Sequence, residues 1–450
     1  MTTAPTPGLT RTQTNAARRF SASAGSHGAT RFELILVFFI PLVAALGPLA
    51  PLIGPVFAFR AAVVLLFLAA AFGGRKAPGV ASRLRSSTWW LLIIGSLSAL
   101  GLTLVFGLGE YGGSELVSMA FGAFLVVAFL LLPVDRTLIR TLIFGWLLAF
   151  VVTSAMAIYE IRTGWRASNH FSNRDPQGLL TDDGAASAFG NPNDYAHFLL
   201  MSGLLFVIGF SVTRAPLSRI ILAVAALSVP LFVASTESIL GVVLTGILVL
   251  GLLLARVPLA SPVLIILLGV AALIVATFPG GLPALLGVDP VYVSLFDEGR
   301  TGAVRANLLL NGWRFSVESG FLGLGPGGFE TRMAAGNPDD LTTFGILSPH
   351  SALTETLSQY GVVTLIALFF VMIHLAKIGW RAYRSSTLGT SAKFAGLAVL
   401  MYVLLSPLVT IMGSSNLEPS YTWAIFASLL LVGRWLEGTV DPPEPFSSLR

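Results

Sequence analysis

Cysteine is absent from the 450 residues, which rules out a disulfide, a thiolate nucleophile and a Cys-ligated metal. Charge is scarce too: Asp, Glu, Lys and Arg make up 11% of the chain, against about a quarter in soluble domains. No His-Glu-x-x-His and no Asp-x-Asp occurs, so no metal site is written in a familiar motif and none is expected. Lysine is confined to Lys76, Lys377 and Lys393, leaving arginine as the main cation. The net charge of +5 is small, and no nucleic-acid partner is expected.

Apolar residues take up the rest: 55% of positions are hydrophobic and the mean hydropathy is +0.83. They fall in runs of about 17 to 24 residues, the length a helix needs to cross a hydrocarbon core of about 30 Å. An all-α polytopic membrane protein follows, with about 12 transmembrane helices. The expected spans are 33–52, 56–73, 89–108, 115–133, 138–159, 194–212, 219–234, 238–255, 262–278, 357–376, 394–412 and 421–437. Pro41, Pro48, Pro230 and Pro407 fall within or beside these spans, as lipid-buried helices tolerate when neighbours satisfy the freed backbone groups. Residues 1–31 are rich in Thr, Ser and Ala and lack the apolar core and cleavage site of a signal peptide. They read as a disordered cytoplasmic tail, followed by a transmembrane catalytic domain over 32–437 and a second cytoplasmic tail over 438–450.

Orientation follows from the basic residues. With the N-terminus cytoplasmic, 19 of the 27 Lys and Arg fall inside, including all three lysines. Seven of the remaining eight cluster in two long external loops, at about 161–193 and about 279–356, the latter between helices 9 and 10. Arg162, Arg166 and Arg174 lie in the first; Arg300, Arg305, Arg314 and Arg332 lie in the second. A multi-pass cell-membrane protein with both termini cytoplasmic is the self-consistent solution. Arginines held together at a membrane surface suit an anionic substrate, because the guanidinium fork meets two oxygens at once and keeps its charge.

Thr301 to Ser319 reads as an amphipathic helix with Val304, Leu308, Leu309 and Phe315 among its apolar positions. Nine residues separate Arg305 from Arg314, about half a turn at 100° per residue, so the two face opposite sides and Arg314 shares a face with Asn307 and Asn311. The alternative is an interfacial helix with snorkelling arginines. Gly323-Leu-Gly-Pro-Gly-Gly-Phe329 lacks the Gly-Lys-Ser/Thr of a nucleotide loop and reads as a tight turn returning the chain toward the membrane. His350, just before the next span, is a candidate general base, whereas an isolated histidine there more often only satisfies its surroundings. Glu330, Asp339 and Asp340 read as solvated loop charges. In the first loop, Phe189-Gly-Asn-Pro-Asn-Asp-Tyr-Ala196 reads as a helix start with Asn191 or Asn193 as N-cap.

Three pieces in this order resemble the O-antigen ligase and polymerase superfamily. They are Phe189–Ala196, Arg305-x3-Leu309 leading to Gly323–Phe329, and His350-Ser351-x9-Gly361-x2-Thr364. The span layout, the long loop before the tenth span and Ser414-Ser415-Asn416 before the last are similar as well. The resemblance implies a metal-independent, inverting glycosyl transfer at the external membrane face, without a cofactor. Its donor is a polyprenyl-diphosphate-linked glycan and its setting the membrane lipid, the acceptor being a glycan, lipid or protein. It assigns diphosphate binding to Arg305 and proton abstraction to His350, with Arg300, Arg314, Arg166, Arg174 and Asn193 as substrate-binding candidates. Family members often carry Ser-Arg at the external start of the eighth span; here the place reads Thr236-Glu237-Ser238, so either Arg300, Arg166 or Arg174 substitutes or the donor or reaction differs. The rival class is a transporter or flippase of lipid-linked glycans, which places ionisable groups near the bilayer midplane.

Overall fold

The computed structural model describes residues 28–50, 52–53, 56–73, 82–168, 184–253, 298–343, 345–385, 388–410 and 417–440. They form α1 (Arg31–Leu46), a 3-10 turn (Gly47–Leu49), a two-residue ladder of β1 (Leu52–Ile53) and β2 (Val56–Phe57), α2 (Ala58–Phe72), α3 (Arg83–Phe106), α4 (Gly112–Leu131) and α5 (Arg136–Thr163). Then come α6 (Pro192–Val212), α7 (Pro216–Ser235), α8 (Ile239–Leu253), α9 (Glu298–Glu318), α10 (Gly328–Ala335), α11 (Ala352–Arg384), α12 (Thr390–Val409) and α13 (Ser420–Val440). Among the described residues nine helices are long and apolar enough to cross a membrane, and α2 and α8 are shorter apolar helices. The fold is that of a polytopic helical membrane protein. The expected span 262–278 lies outside the described residues.

Helix starts follow local chemistry. Thr30 and Glu33 form a capping box on α1, Asp135 caps α5 through the Leu138 N–H at 2.7 Å, and Asn191 with Pro192 at the first position opens α6. Helix α1 stops at Leu46, six residues short of the expected end, with Pro48 entering the 3-10 turn. Helix α6 is apolar on all sides, and 78% of its most apolar window is buried, against 11% for α3. A helix apolar all round belongs at the centre of a bundle, and α6 sits there against α5, α7 and α12. Helices α11 and α12 approach closely at Gly379 and Gly396, where a Cβ on Gly379 would lie 2.7 Å from the Gly396 carbonyl oxygen.

Helix α11 is broken at Gly361, whose φ of 81° and ψ of 172° lie outside the helical region. The break strips the Ser358 and Gln359 carbonyls of their usual partners four residues on. The glycine run replaces them: the Leu324 N–H donates to Ser358 O at 2.8 Å and the Gly325 N–H to Gln359 O at 2.9 Å, while the Val362 N–H reaches Phe321 O at 2.9 Å. The expected tight turn at 323–329 is therefore present, but as backbone seated on the kink, with the short helix α10 following it. Thr364 binds Tyr360 O across the break at 2.9 Å and Ser98 Oγ of α3 at 3.0 Å.

Candidate functional site

The N-termini of α4, α6, α11 and α13 converge on one side of the bundle. Tyr421 Oη donates to Asp194 of α6 at 3.0 Å, and the Leu417 N–H donates to Glu355 of α11 at 3.2 Å. The first turns of α6 and α11 thus meet across the start of α13. Above this surface Val304, Leu308, Phe315 and Phe329 make a small core of their own, separate from the main one. The amphipathic helix expected over 301–319 is α9, and three of its four named apolar positions are buried within this core. Close contact with α11 is set at Gly312, where a Cβ would lie 2.1 Å from Thr354 Cγ2.

Arg305 projects from α9 toward His350, close enough for its charge to depress the histidine's basicity. Both side chains are half-buried. Burial lowers the Arg305 pKa from its ordinary value, and burial first, then Arg305, holds His350 at about 3. His350 is neutral at physiological pH. Its backbone adopts φ of 48°, a left-handed conformation that non-glycine residues enter only where the surroundings impose it. Ser351 caps α11 directly behind it, accepting the Thr354 N–H at 3.3 Å.

The other expected arginines are placed differently. Arg314 lies on the opposite face of α9, as the half-turn spacing requires, and binds Glu318 at 2.8 Å, the Asp339 carbonyl and the Asp340 carboxylate. Asn307 and Asn311 share that face and hold Thr342 O and Leu341 O, each at 2.8 Å, so this row docks residues 339–342 onto α9. Arg332 pairs with Glu318 and covers the Phe315 ring at 4.2 Å. Arg166 pairs with Glu160, whose other oxygen accepts the Ala186 and Ser187 N–H groups at 3.1 and 2.6 Å, which anchors the described end of the first loop. Arg300 lies in the first turn of α9, and Arg174 lies outside the described residues. Asn191, not Asn193, is the N-cap; Asn193 is half-buried in the first turn of α6. Glu237 is exposed in a left-handed turn, φ 56°, after α7. Ser414, Ser415 and Asn416 lie outside the described residues.

The main departure from expectation is acidic. Glu330 is not a solvated loop charge: its Oε2 is buried without a hydrogen-bond partner. Burial, then Glu115, Glu355 and Glu418, push its pKa up to about 9. Glu115, in the first turn of α4, accepts from Tyr360 Oη and from the Gly327 N–H at 2.7 Å, and the next amide, Gly328, donates to the buried Gln359 at 3.1 Å. Glu115 thus reaches a partner 212 residues along the chain. An acid inside an apolar run was the available signal. Among the described residues these carboxylates do not converge as a metal-binding group.

Glu330 gives a prediction about stability. Between about pH 4.5 and 9 its folded form holds a proton that the unfolded chain releases, so its contribution is complete below 4.5 and disappears as pH rises through 9. Glu330→Gln keeps the neutral shape. The variant should match the wild type in thermal midpoint near pH 5 and exceed it at pH 8 to 9. Parallel pH profiles would remove Glu330 from this role.

No protein-family model matches the chain, and no curated protein matches it.

Proposed function

We propose that this protein transfers or polymerises glycan from a polyprenyl-diphosphate donor onto a hydroxyl acceptor at the external membrane face, in cell-surface polysaccharide synthesis. A twelve-span topology with cytoplasmic termini puts the Arg305–His350 side outside. One observation carries the reading: Arg305 is a desolvated guanidinium with no hydrogen bond or ion pair in the described structure, beside a histidine that also has none. Arg166, Arg314 and Arg332 are all engaged. A desolvated, unspent cation is costly unless an anion arrives. Leu310, Trp313 and Val317 form an exposed apolar stripe on α9, which suits a helix lying in the interface and brings Arg305 to the level of a lipid diphosphate.

In the reaction, the acceptor hydroxyl attacks the anomeric carbon from the face opposite the diphosphate. The bond from that carbon to the phosphate oxygen breaks, and its electron pair leaves on the diphosphate, where Arg305 stabilises the growing charge. His350 takes the hydroxyl proton. An anionic donor beside Arg305 offsets the field that depresses His350, so donor binding itself raises the basicity of the base. The buried carboxyls of Glu115 and Glu355 sit in first helical turns on the same side, not at mid-span as the transporter class requires.

The test uses purified protein, lipid-linked glycan and candidate acceptors without added metal. Product of inverted anomeric configuration is expected, and His350→Ala should lower kcat by about 10²- to 10⁴-fold. The acid limb of kcat/KM should lie well below 6.5, because the free enzyme holds His350 at about 3. Undiminished product from His350→Ala would end its assignment as base. Lipid crossing vesicles with no product from any acceptor would sink the transfer reading in favour of transport.

A further inference from the structure

A groove of about 420 Å³ runs between the N-terminal half of α3 and the middle of α11. Arg83, Ser86, Trp90, Ile366, Phe370 and His374 are among the residues that line it. Its walls extend from Arg83 to Ile94 on α3 and from Val363 to His374 on α11. Each stretch covers a rise of about 16 Å. That is about half of a 30 Å hydrocarbon core, the depth of one leaflet.

The two ends differ in character. The groove begins among cations: Arg83 and Lys377 are exposed, neither forms an ion pair with a described carboxylate, and both act on His374. The acid facing this group is Glu437, which accepts the Ser82 hydroxyl. Away from that end the wall is apolar, with Trp90, Val363, Ile366 and Phe370 between 48% and 60% exposed. Positive charge at one end and one leaflet of apolar wall beyond it match the two parts of a phospholipid. His374, at the head-group end, lies 22 residues beyond Ala352, where α11 starts just after His350, a rise of about 33 Å, so that end is about a membrane's thickness from Arg305, and the apolar end at Val363 lies nearer.

We propose that this groove binds an anionic phospholipid, its phosphate held by Arg83 and Lys377 and one acyl chain laid along Trp90, Ile366 and Phe370. The site stands independently of the glycan-transfer reading. Ser86 borders the head-group end and offers a hydroxyl donor to phosphate or glycerol oxygens, whereas the buried Ser87 hydroxyl donates to the Leu84 carbonyl at 3.0 Å.

Quenching of tryptophan fluorescence by chain-brominated lipids tests it on the full chain in mixed micelles. The Trp90 signal is the difference between the wild type and Trp90→Phe. Brominated phosphatidylglycerol should quench that signal at about tenfold lower mole fraction than brominated phosphatidylcholine, as two cations facing an anionic head group require. The Arg83→Ala/Lys377→Ala variant should respond to both lipids alike, and Arg83→Lys/Lys377→Arg, which retains the charges, should keep the preference. Equal quenching of the wild type by the two lipids, or a preference that survives the double alanine variant, overturns the proposal. Loss of the preference in millimolar inorganic phosphate also overturns it, by showing a free-phosphate site instead of a lipid site.

Discussion

Arg305→Ala is expected to lower kcat for glycan transfer by about 10²- to 10³-fold, the usual loss when a preorganised donor to a developing oxyanion is removed. The effect should be large because the guanidinium is desolvated and spends none of its donors on the protein. A low local dielectric strengthens its interaction with a leaving diphosphate, and no internal partner has to be released first. Arg305→Lys keeps the charge but loses the planar fork, so it should recover only part of the rate. Arg314→Ala is the matched control on the same helix. It removes the contacts to Glu318 and to residues 339–340, and should lower the thermal midpoint with a much smaller effect on kcat. Single-turnover kinetics on the three variants separates these cases. Equal losses at Arg305 and Arg314 would mean that α9 is merely being destabilised.

Gly361→Ala is expected to destabilise the protein by at least about 3 kcal/mol, combining an unfavourable backbone conformation with steric overlap. The residue sits at φ 81° and ψ 172°, a region open almost only to glycine. A Cβ there would lie 2.3 Å from the Leu322 carbonyl oxygen, and one on Gly323 would lie 2.5 Å from the Gln359 carbonyl oxygen. Both contacts are backbone, which cannot rotate away. Relief requires the glycine run to lift off α11, exposing the Ser358 and Gln359 carbonyls and unseating α9 and α10 above them. Activity should therefore fall together with the thermal midpoint, unlike the pattern for Arg305→Ala. A Gly361→Ala variant with a wild-type midpoint in detergent would show that the kink is not required.

Much of the architecture was readable from hydropathy alone. Nine of the twelve expected spans correspond to described helices long and apolar enough to cross a membrane and two more to shorter apolar helices, because each helix buries its own backbone polar groups and needs no distant partner to define it. Helix α9 and the split between Arg305 and Arg314 were also readable, since 100° per residue assigns faces without tertiary information. The same arithmetic put Asn307, Asn311 and Arg314 together; only the structure gives them the task of holding 339–342. Arg166 looked like a ligand candidate because its partner Glu160 reads, in sequence, as the polar end of a span. Glu330 looked solvated because nothing local says that α4 and α11 will close over it.

The sequence by itself determined a polytopic helical membrane protein, the amphipathic helix α9 and the turn at 323–329, all consequences of local length, polarity and backbone freedom. Only the tertiary structure decided which charges are spent and which are free. It left Arg305 unpaired, set it beside His350, and gathered Glu115, Glu330, Glu355 and Glu418 on one side of the bundle. The physical reason is desolvation: a charge takes on chemical meaning from what is packed around it, and for these residues the packing comes from helices up to several hundred positions away.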